Sequence, residues 1–470
     1  MTRQQAATEI VRRLRESGYD TYFAGGCVRD LLLGREPDDF DVATSAGPDV
    51  VLQMFPRSYA VGAHFGVVLV VMDTDEEAGS FVTEVATFRT DGDYSDGRRP
   101  DSVVFTRSPE EDVRRRDFTI NGMLLDPAKL SAGVENAVLD FVGGRADLSA
   151  RVVRAIGDTS LRFREDRLRM LRAVRFAARF GFVIEPATLA AIRAEAANIS
   201  DVSRERVREE LTRMLTEGRA RRAFELLDEA GLLGHVLPEV ARMKGVEQPP
   251  QYHPEGDVWV HTLMVLEQLP ACAAPTLAWG ALLHDVGKPA TFRRAPDRIR
   301  FDGHVEVGVR VAEGVLRRLR FSNEETDQIV ALIHNHMRFG DVRQMKESTL
   351  KRFFRLRDFP EHLELHRMDC SASHGDLSLY DFAKERFENI PAEHVRPRPV
   401  LTGADLIAAG YQPGPLFKEM LTFAEDAQLE GRAASAEEAL ALVRKEFPAA
   451  RSTPLPPGVP EVLKSQGQKS

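Results

Sequence analysis

Two aspartates that share one side of a predicted strand are the clearest candidates for chemistry. Asp39 and Asp41 flank Phe40 in the segment "GGCVRDLLLGREPDDFDVATS", residues 25–45. In a β-strand, residues i and i+2 point to the same side, so the two carboxylates would lie together while the phenylalanine faces the core. Mg²⁺ takes oxygen ligands and uses few protein groups when it also binds substrate phosphates. The spacing therefore predicts a magnesium site.

A third carboxylate and a pair of glycines extend this prediction to nucleotide chemistry. Glu84, in the alternating segment "VTEVATF", would complete a two-metal site that activates an attacking hydroxyl and stabilises a leaving pyrophosphate. Gly25 and Gly26 would let backbone N–H groups approach a triphosphate without interference from a Cβ atom. Arg29 would then add a charge-assisted contact. Each fragment alone is usually a plain turn or a solvated loop, so the prediction depends on their occurring together.

The charge of the chain is unevenly spread. The 470 residues carry a net charge of −9, yet Arg145 to Arg222 contains 18 arginines, no lysine and 11 acidic residues. Two interpretations fit this segment: one binding face for a polyanion, or a solvated helical region with internal ion pairs.

Composition favours a globular protein of several domains. The chain is too long for one core and predicts roughly two to four domains. Its longest apolar run, residues 65–72, is too short to span a bilayer, and the first residues lack a secretory signal pattern. The cysteines Cys27, Cys272 and Cys370 lack the paired spacing of a zinc site or a disulfide framework. We therefore expect a cytoplasmic protein without a membrane partner; the oligomeric state stays open.

Apolar periodicity predicts an α+β fold. Strands are expected in "DTYFAGGCV", "FGVVLVVM" and "SFVTEVATF", and helices in "AATEIVRRLRES" and "PDVVLQMF", which together predict a head with a small mixed sheet. From about residue 150 the patterns become helical. Leu168, Leu171, Val174 and Ala178 follow helical spacing, with Gly181 as a stop signal.

Four more motifs follow the opening one in order along the chain: "TFRTDGDYSDGRRPDSVVF" (87–105), "RRDFTINGM" (115–123), "DFVGGRADLSARVVRAIG" (140–157) and "REDRLRMLRAVRFAARFGF" (164–182). The set closely resembles the class II nucleotidyltransferases, the bacterial CCA-adding enzymes and their poly(A) polymerase relatives. In that family the four correspond to a flexible loop, a ribose-recognition motif, a hinge and a nucleobase-reading motif. Gly122 stands where family members usually carry alanine.

The resemblance implies roles for further residues. Arg116 and Asp117 would contact the triphosphate and the ribose hydroxyl, and Glu165 would orient Arg169. Asp166 and Arg169, at i and i+3 near a predicted helix start, would share one face. An acceptor beside a donor could pair with cytosine or adenine, which offer an exocyclic amine, and reject uracil and guanine. Without the other motifs, a simple helix ion pair would be the preferred interpretation.

Histidines and aspartates in the second half suggest another metal site. Neutral imidazole and carboxylate suit divalent transition metals. The ordered set, with "LLHDVGK" as its signature, resembles the HD superfamily of metal-dependent phosphohydrolases; of the two histidines in "HNHM", His336 fits better than His334. The alternative is a packing and RNA-docking module with weak or lost activity. The ligands that the resemblance implies are His261, His284, Asp285, His304, His336 and Asp369.

The resulting expectation is an enzyme that adds CCA, or only the terminal A, to the 3′ end of tRNA from CTP and ATP with Mg²⁺, gripping the acceptor arm through its basic helices. A poly(A) polymerase, an HD-type phosphohydrolase and a structured-RNA binder with a dead site remain alternatives. The predicted division is a nucleotidyltransferase head (1–148), a helical neck and body (149–250), an HD domain (251–395), a helical tail (396–450) and a disordered end (451–470).

Overall fold

The computed structural model describes residues 1–61, 65–73, 79–92, 94, 100–250 and 256–448. The chain forms two compact units. The first is Met1–His334 with Met368–Gly375, and the second is Asn335–Arg367 with the residues from Asp376 onward. The division predicted above, with a head to residue 148, a neck and body to 250, an HD domain to 395 and a tail to 450, stays a prediction. The expected disordered end lies outside the described residues, as do residues 93 and 95–99 of the 87–105 loop.

The head contains a mixed sheet with helices, which confirms the predicted fold class. Its elements, in chain order, are α1 (Arg3–Glu16), β1 (Thr21–Ala24), α2 (Gly26–Leu32), β2 (Asp41–Thr44), α3 (Pro48–Met54), β3 (Ser58–Ala60), β4 (Val67–Asp73), β5 (Ser80–Thr87), β6 (Arg89–Asp91), β7 (Val103–Phe105), α4 (Pro109–Arg114), β8 (Met123–Leu125), α5 (Val134–Ala137), β9 (Val138–Asp140) and α6 (Gly144–Ala150). Short 3-10 helices lie at Thr119–Asn121 and Pro127–Ala132.

Seven strands form the main sheet of the head, in the order β3-β4-β5-β2-β1-β8-β9. The β2–β5 pair is parallel, and the other neighbours are antiparallel. Asp41 pairs with Ala24, the last residue of β1. Because Val42 pairs with Val85, Glu84 lies beside Asp41 on the adjacent strand. One face of the sheet thus carries both carboxylates next to the turn at Gly25.

Helices follow the head within the first unit, as predicted from about residue 150. They are α7 (Thr159–Glu165), α8 (Leu168–Phe180), α9 (Pro186–Glu195), α10 (Arg204–Thr216), α11 (Ala220–Glu229), α12 (Leu233–Val236), α13 (Pro238–Ala241), α14 (Val258–Glu267), α15 (Pro275–Leu283), α16 (Lys288–Thr291), α17 (His304–Arg318) and α18 (Asn323–Asn335). Gly181 ends α8 with φ 69°, a backbone conformation that glycine adopts without steric cost. Two-residue strands β10 (Val152–Val153), β11 (Val183–Ile184), β12 (Arg293–Arg294) and β13 (Ile299–Arg300) accompany the helices.

The second unit is helical. After a 3-10 helix at His336–Asp341 come α19 (Glu347–Phe354), α20 (Phe359–Ala372), α21 (Ser378–Asn389), α22 (Ala392–Val395), α23 (Gly403–Ala408), α24 (Leu416–Leu429) and α25 (Ala436–Glu446). The residues of α20 from Met368 onward belong to the first unit. Aromatic residues such as Phe339, Phe353 and Phe359 form one core, and Leu406, Met420 and Val443 belong to another. Within the described part of the chain, no helix is long and apolar enough to cross a membrane.

Candidate active site

An acidic cluster lies where β2 begins. Asp39 and Asp41 are both exposed while Phe40 between them is buried, so the predicted alternation is present. The strand itself starts at Asp41, which places Asp39 in the segment just before it and not within the strand as expected. Glu84 is exposed on the neighbouring strand. The carboxylates of Asp39, Asp41 and Glu84 therefore lie on one side of the sheet, and we call this group the acidic edge.

The electrostatics of this cluster suit a cation. Loss of water around Asp41, together with the negative charges of Glu84 and Asp39, raises the pKa of Asp41 to about 6, although Arg116 opposes the shift. Desolvation likewise raises the pKa of Glu84. Because the carboxylates destabilise one another when ionised, a divalent cation among them would relieve the repulsion. The three side chains fit Mg²⁺ by donor type and charge.

The turn after β1 places the backbone of Gly25 close to the guanidinium of Arg116. Gly25 has φ 74° and ψ −128°, a backbone conformation that residues with a Cβ atom rarely adopt. A Cβ atom at Gly25 would lie 3.3 Å from Nη1 of Arg116, so the glycine also leaves room for that guanidinium. Arg116 donates to Asp112 at 3.0 Å. The turn can therefore accept a polyanion at its surface while Arg116 supplies positive charge.

Arg29 is buried within the head and already has protein partners. It donates to Asp30 at 2.9 and 3.0 Å and to Oδ1 of Asn121 at 2.6 Å. Its guanidinium lies 4.5 Å from the ring centre of Phe180 on α8. Arg29 thus connects the head to α8; its predicted contact with a triphosphate stays a prediction.

One cavity of about 500 Å³ joins the acidic edge, the glycine turn and the first neck helices. Positive and negative side chains alternate around it, which suits a nucleoside triphosphate with metal. Its lining includes Gly25, Gly26, Arg29, Asp39, Asp41, Arg116, Asp117, Asp166, Arg169, Arg172, Arg175 and Arg179. Glu84 is not among the described lining residues and lies at the margin, beside Asp41. Sequence motifs separated by more than 100 residues therefore meet in one place.

Asp166 and Arg169 reach this cavity by a different route from the one predicted. Glu165 ends α7 and α8 begins at Leu168, so Asp166 lies between two helices with φ −143° and does not share a helical face with Arg169. Its carboxylate accepts hydrogen bonds from Arg206 at 3.1 and 2.8 Å and from the backbone N–H of Leu168 at 3.1 Å. The i, i+3 argument was wrong, because an interhelical break separates the two residues. Both nevertheless line the cavity.

Glu165 holds Arg169 as the resemblance implied. Nη1 of Arg169 donates to Oε2 of Glu165 at 2.7 Å and to the carbonyl of Arg162 at 3.1 Å. Nη2 of Arg169 donates to the carbonyl of Arg115 at 3.0 Å, which links α8 to the head. The guanidinium orientation is therefore fixed by three acceptors.

Asp117 is buried and clamped by Arg172. The carboxylate accepts from Arg172 at 2.7 and 2.9 Å, from Asn121 at 3.1 Å and from the N–H of Phe118 at 2.8 Å. Burial alone would raise its pKa, but the charge and hydrogen bonds of Arg172 lower it to about 2. Asp117 is therefore an anion at any physiological pH, with a fixed orientation.

Sequence reasoning missed the residues that position the predicted ones. These residues are Arg206, which donates hydrogen bonds to Asp166, and Arg172 and Asn121, which donate to Asp117. Arg172 follows Arg169 at helical spacing, so the pattern "RLRMLRAVR" contained a signal for it. Arg206 lies 40 residues after its partner, and no local pattern predicts that pairing.

The glycine at position 122 has a local packing explanation. A Cβ atom at Gly122 would lie 2.8 Å from Cδ1 of Ile156 and 2.9 Å from Cγ2 of Val142. Neither distance is tolerated, so those two side chains would have to move for an alanine. Glycine at this position therefore fits the packing of Ile156 and Val142.

A second cluster, in the first unit, brings together four of the predicted HD residues. His261 lies on α14 and Asp369 on α20, while His284 and Asp285 follow α15. Nε2 of His261 is 3.1 Å from Oδ1 of Asp369 and 3.3 Å from Nε2 of His284, which is 3.2 Å from Oδ2 of Asp285. His261, His284 and Asp285 are buried and close enough to hold one metal ion. Two imidazoles and two carboxylates fit a divalent transition metal.

Charges around this cluster stabilise its aspartates as anions. Burial opposes ionisation of Asp369, but the hydrogen bond from His261 lowers its pKa. Burial likewise opposes ionisation of Asp285, and the charge of Lys288 lowers its pKa well below the usual value. Lys288, which sequence reasoning missed, lies 2.6 Å from Asp285 and donates to buried Gln248 at 2.6 Å.

Of the other two predicted HD residues, His304 belongs to the first unit and His336 to the second. Nε2 of His304, at the start of α17, is 3.9 Å from Oδ1 of Asp285. His336 is buried in the second unit, where it begins the 3-10 helix, and His334 is exposed. Exposure of His334 is consistent with the preference for His336, whose role as a ligand stays a prediction.

Three family models match the chain. They are the poly A polymerase head domain at residues 21–154, a probable RNA and SrmB-binding site of polymerase A at 181–244, and the HD domain at 258–368. Together they match more than half of the chain. The chain therefore contains a segment that matches the poly A polymerase head domain, followed by one that matches the HD domain, and the predicted resemblance is confirmed. Both kinds of domain imply the use of divalent metal ions.

Relatives within this family are CCA-adding enzymes. The CCA-adding enzyme of Geobacillus stearothermophilus is 45% identical over 237 residues, which are 50% of this chain and 55% of the relative. That of Lactobacillus gasseri is 37% identical over 270 residues, 56% of this chain and 64% of the relative. The crystal structure of the Bacillus stearothermophilus CCA-adding enzyme in complex with CTP has a TM-score of 0.72 at 29% identity, covering 95% of this chain and 98% of that one. The chain thus spans about half the length of the first of these curated relatives.

Proposed function

We propose that this protein is a tRNA nucleotidyltransferase that adds CCA, or only the terminal A, to the 3′ end of tRNA from CTP and ATP. One observation carries the proposal. A single cavity is lined by Asp39 and Asp41, by the glycine turn and by the pair Asp166 and Arg169. Chemistry on a triphosphate and selection of a nucleobase would therefore occur in the same site.

The acidic edge would hold the metal. Asp39, Asp41 and Glu84 offer only oxygen ligands, which favours Mg²⁺ over softer metals. When bound, Mg²⁺ supplies activation of the attacking hydroxyl and charge neutralisation at the leaving pyrophosphate. The protein's part is to place carboxylates on one sheet edge and to bring Arg116 and the Gly25–Gly26 backbone to the triphosphate. Asp117, fixed as an anion by Arg172, would accept a hydrogen bond from the ribose hydroxyl.

Nucleotide selection would come from side chains and need no template. Arg169 donates and Asp166 accepts, which complements the Watson–Crick edges of cytosine and adenine and mismatches those of uracil and guanine. Glu165 and Arg206 hold these two groups in place through short ion pairs. A fixed pair of this kind costs little conformational entropy when the nucleotide binds.

The arginine-rich segment 145–222 would bind tRNA phosphates. An acidic protein with one basic region gains phosphate contacts there and repels nucleic acid elsewhere. Much of that charge is engaged in ion pairs, such as Arg175 with Glu210 at 2.7 Å, so the grip would be local. A poly(A) polymerase is the near alternative, but the net charge of −9 disfavours general RNA capture.

The second cluster supports a phosphohydrolase activity as an additional proposal. His261, His284, Asp285 and Asp369 would hold a divalent transition metal, which when bound supplies an activated water for hydrolysis of a phosphoester. Lys288 would keep Asp285 ionised and oriented.

Extension of truncated tRNA tests the main proposal. Wild-type protein, Mg²⁺ and tRNA lacking its last three nucleotides are incubated with each NTP singly and with CTP plus ATP, and products are resolved at one nucleotide. We expect CTP alone to extend by two and the mixture by three; an A-adding enzyme extends only tRNA that lacks the final A. Long A tails would instead identify a poly(A) polymerase. No incorporation either into this tRNA or into tRNA that lacks only its final A would overturn the proposal.

A further inference from the structure

The sheet face that carries the acidic edge continues beyond Glu84 to the β3 edge. Glu84 pairs with Leu69 of β4, and Leu69 pairs with Tyr59 of β3. Directly paired residues point to the same face, so these three side chains form one row. Val82 and Val71 pair in the next row and share that face.

This part of the face is apolar and accessible. Tyr59 is 62% exposed and Val82 is 57% exposed, while Leu69 and Val71 are partly exposed. On the opposite face of β4 and β5, Val68, Val70 and Val85 are buried. An exposed apolar surface that adjoins a catalytic edge is typical of a binding site.

The geometry of phosphoryl transfer indicates which substrate binds at this apolar face. The cavity for the triphosphate lies toward β1 and the neck helices, and among the described residues that line it none belongs to β3, β4 or β5. In phosphoryl transfer the attacking and leaving oxygens lie roughly in line. With the triphosphate on the β1 side of Asp41, the attacking 3′-hydroxyl must approach from the β5 side, past Glu84.

We propose that Tyr59, Leu69, Val71 and Val82 form a platform for the 3′-terminal nucleotides of the RNA that is extended, with Tyr59 stacking on a base. Neighbouring strands are about 4.8 Å apart, so Tyr59 lies about 10 Å from Glu84, within reach of the last two nucleotides of an RNA whose 3′-hydroxyl is at the acidic edge. Bases stack on aromatic side chains with little sequence preference, as a primer end of changing sequence requires. This inference rests on the proposed function.

Steady-state extension with altered side chains tests the platform. Tyr59→Ala and Val82→Ser remove exposed apolar groups, Tyr59→Phe retains the ring, and Gln53→Ala, an exposed change on helix α3, serves as the control. We expect Tyr59→Ala to raise KM for truncated tRNA about tenfold and Val82→Ser to raise it less. KM for CTP should stay within about twofold in both, and Tyr59→Phe and Gln53→Ala should match the wild type. Equal melting temperatures exclude misfolding.

A fluorescence measurement tests whether the terminal base of the RNA stacks on Tyr59. A tRNA acceptor-stem minihelix that ends in 2-aminopurine reports stacking by loss of fluorescence. Binding of wild type and Tyr59→Phe should quench it, and Tyr59→Ala should quench it markedly less. An active wild type with unchanged KM for RNA and unchanged quenching in Tyr59→Ala would overturn the platform alone. A wild type that extends no RNA overturns the proposed function and the platform with it.

Discussion

Arg206 forms a two-bond ion pair with Asp166, with nitrogen–oxygen distances of 3.1 and 2.8 Å. The pair joins the first turn of α10 to the short break between α7 and α8. Since Asp166 is outside a helix, its orientation depends on this partner and on the N–H of Leu168. The carboxylate that we propose as the nucleobase acceptor is therefore positioned by a residue 40 positions later in the chain.

Replacement of Arg206 should loosen nucleotide selection. Charge-assisted hydrogen bonds contribute about 1.5–3 kcal/mol, so Arg206→Ala is expected to raise KM for CTP and ATP about tenfold and to increase UTP incorporation. Arg204→Ala removes the same charge from the same helical turn and should leave selection unchanged. Single-turnover assays with each NTP measure both. Unaltered discrimination in Arg206→Ala would show that Asp166 is held without it.

The two glycines of the turn should respond differently to alanine. Gly25 has a positive φ, so Gly25→Ala is expected to lower the free energy of unfolding by about 1–2 kcal/mol. A Cβ atom at Gly26 would lie 3.5 Å from Nη2 of Arg29, an ordinary contact, so Gly26→Ala should fold normally. If the backbone contacts the triphosphate, Gly26→Ala still raises KM for CTP. Urea denaturation and steady-state kinetics separate these effects; unchanged KM in Gly26→Ala would argue against backbone contact there.

The Asp117–Arg172 pair should make stability depend on pH in the acid range. The folded pKa of Asp117 is depressed to about 2 from its ordinary value of 3.8. Its contribution to stability is therefore present above about pH 4 and is lost as the pH falls toward 2. Arg172→Met leaves the buried carboxylate without its guanidinium and should cost about 2–4 kcal/mol at pH 7.

Urea denaturation at several pH values tests that sign. The difference between wild type and Arg172→Met should shrink as the pH falls from 4 toward 2. Arg193→Met, which removes an exposed arginine 3.7 Å from Glu229, serves as the control and should change stability by less than about 0.5 kcal/mol. A difference that grows in acid would contradict the assignment of the pKa shift to Arg172.

The second cluster should bind metal independently of nucleotide addition. Asp369→Asn removes a charged ligand candidate, and we expect at least a tenfold to hundredfold loss of Mn²⁺ or Co²⁺ affinity by titration calorimetry. Nucleotide incorporation should be unchanged. Asp376→Asn, just beyond α20, is a control of the same chemical type. Retained metal affinity in Asp369→Asn would remove this residue from the ligand set.

Features that depend on residues close together in the chain could be predicted from the sequence. Alternation around Phe40, the strand of Glu84 and the helix stop at Gly181 depend on neighbouring residues, and all three are present. The sequence predicted a helix start near Asp166, but it did not predict that Asp166 itself would lie outside α8. It also did not predict Arg206 or Lys288, whose roles depend on which helices become neighbours after folding.

Magnesium-dependent incorporation of one CMP tests the central claim, that the acidic edge beside Gly25 is the catalytic metal site. Wild type, Asp41→Asn and Asp38→Asn are assayed on truncated tRNA. Asp38→Asn serves as the control, because Asp38 lines the same cavity but is not part of the acidic edge. We predict a loss of about 10²–10³-fold in kcat for Asp41→Asn and near-normal activity for Asp38→Asn. Full activity of a folded Asp41→Asn protein would contradict the claim.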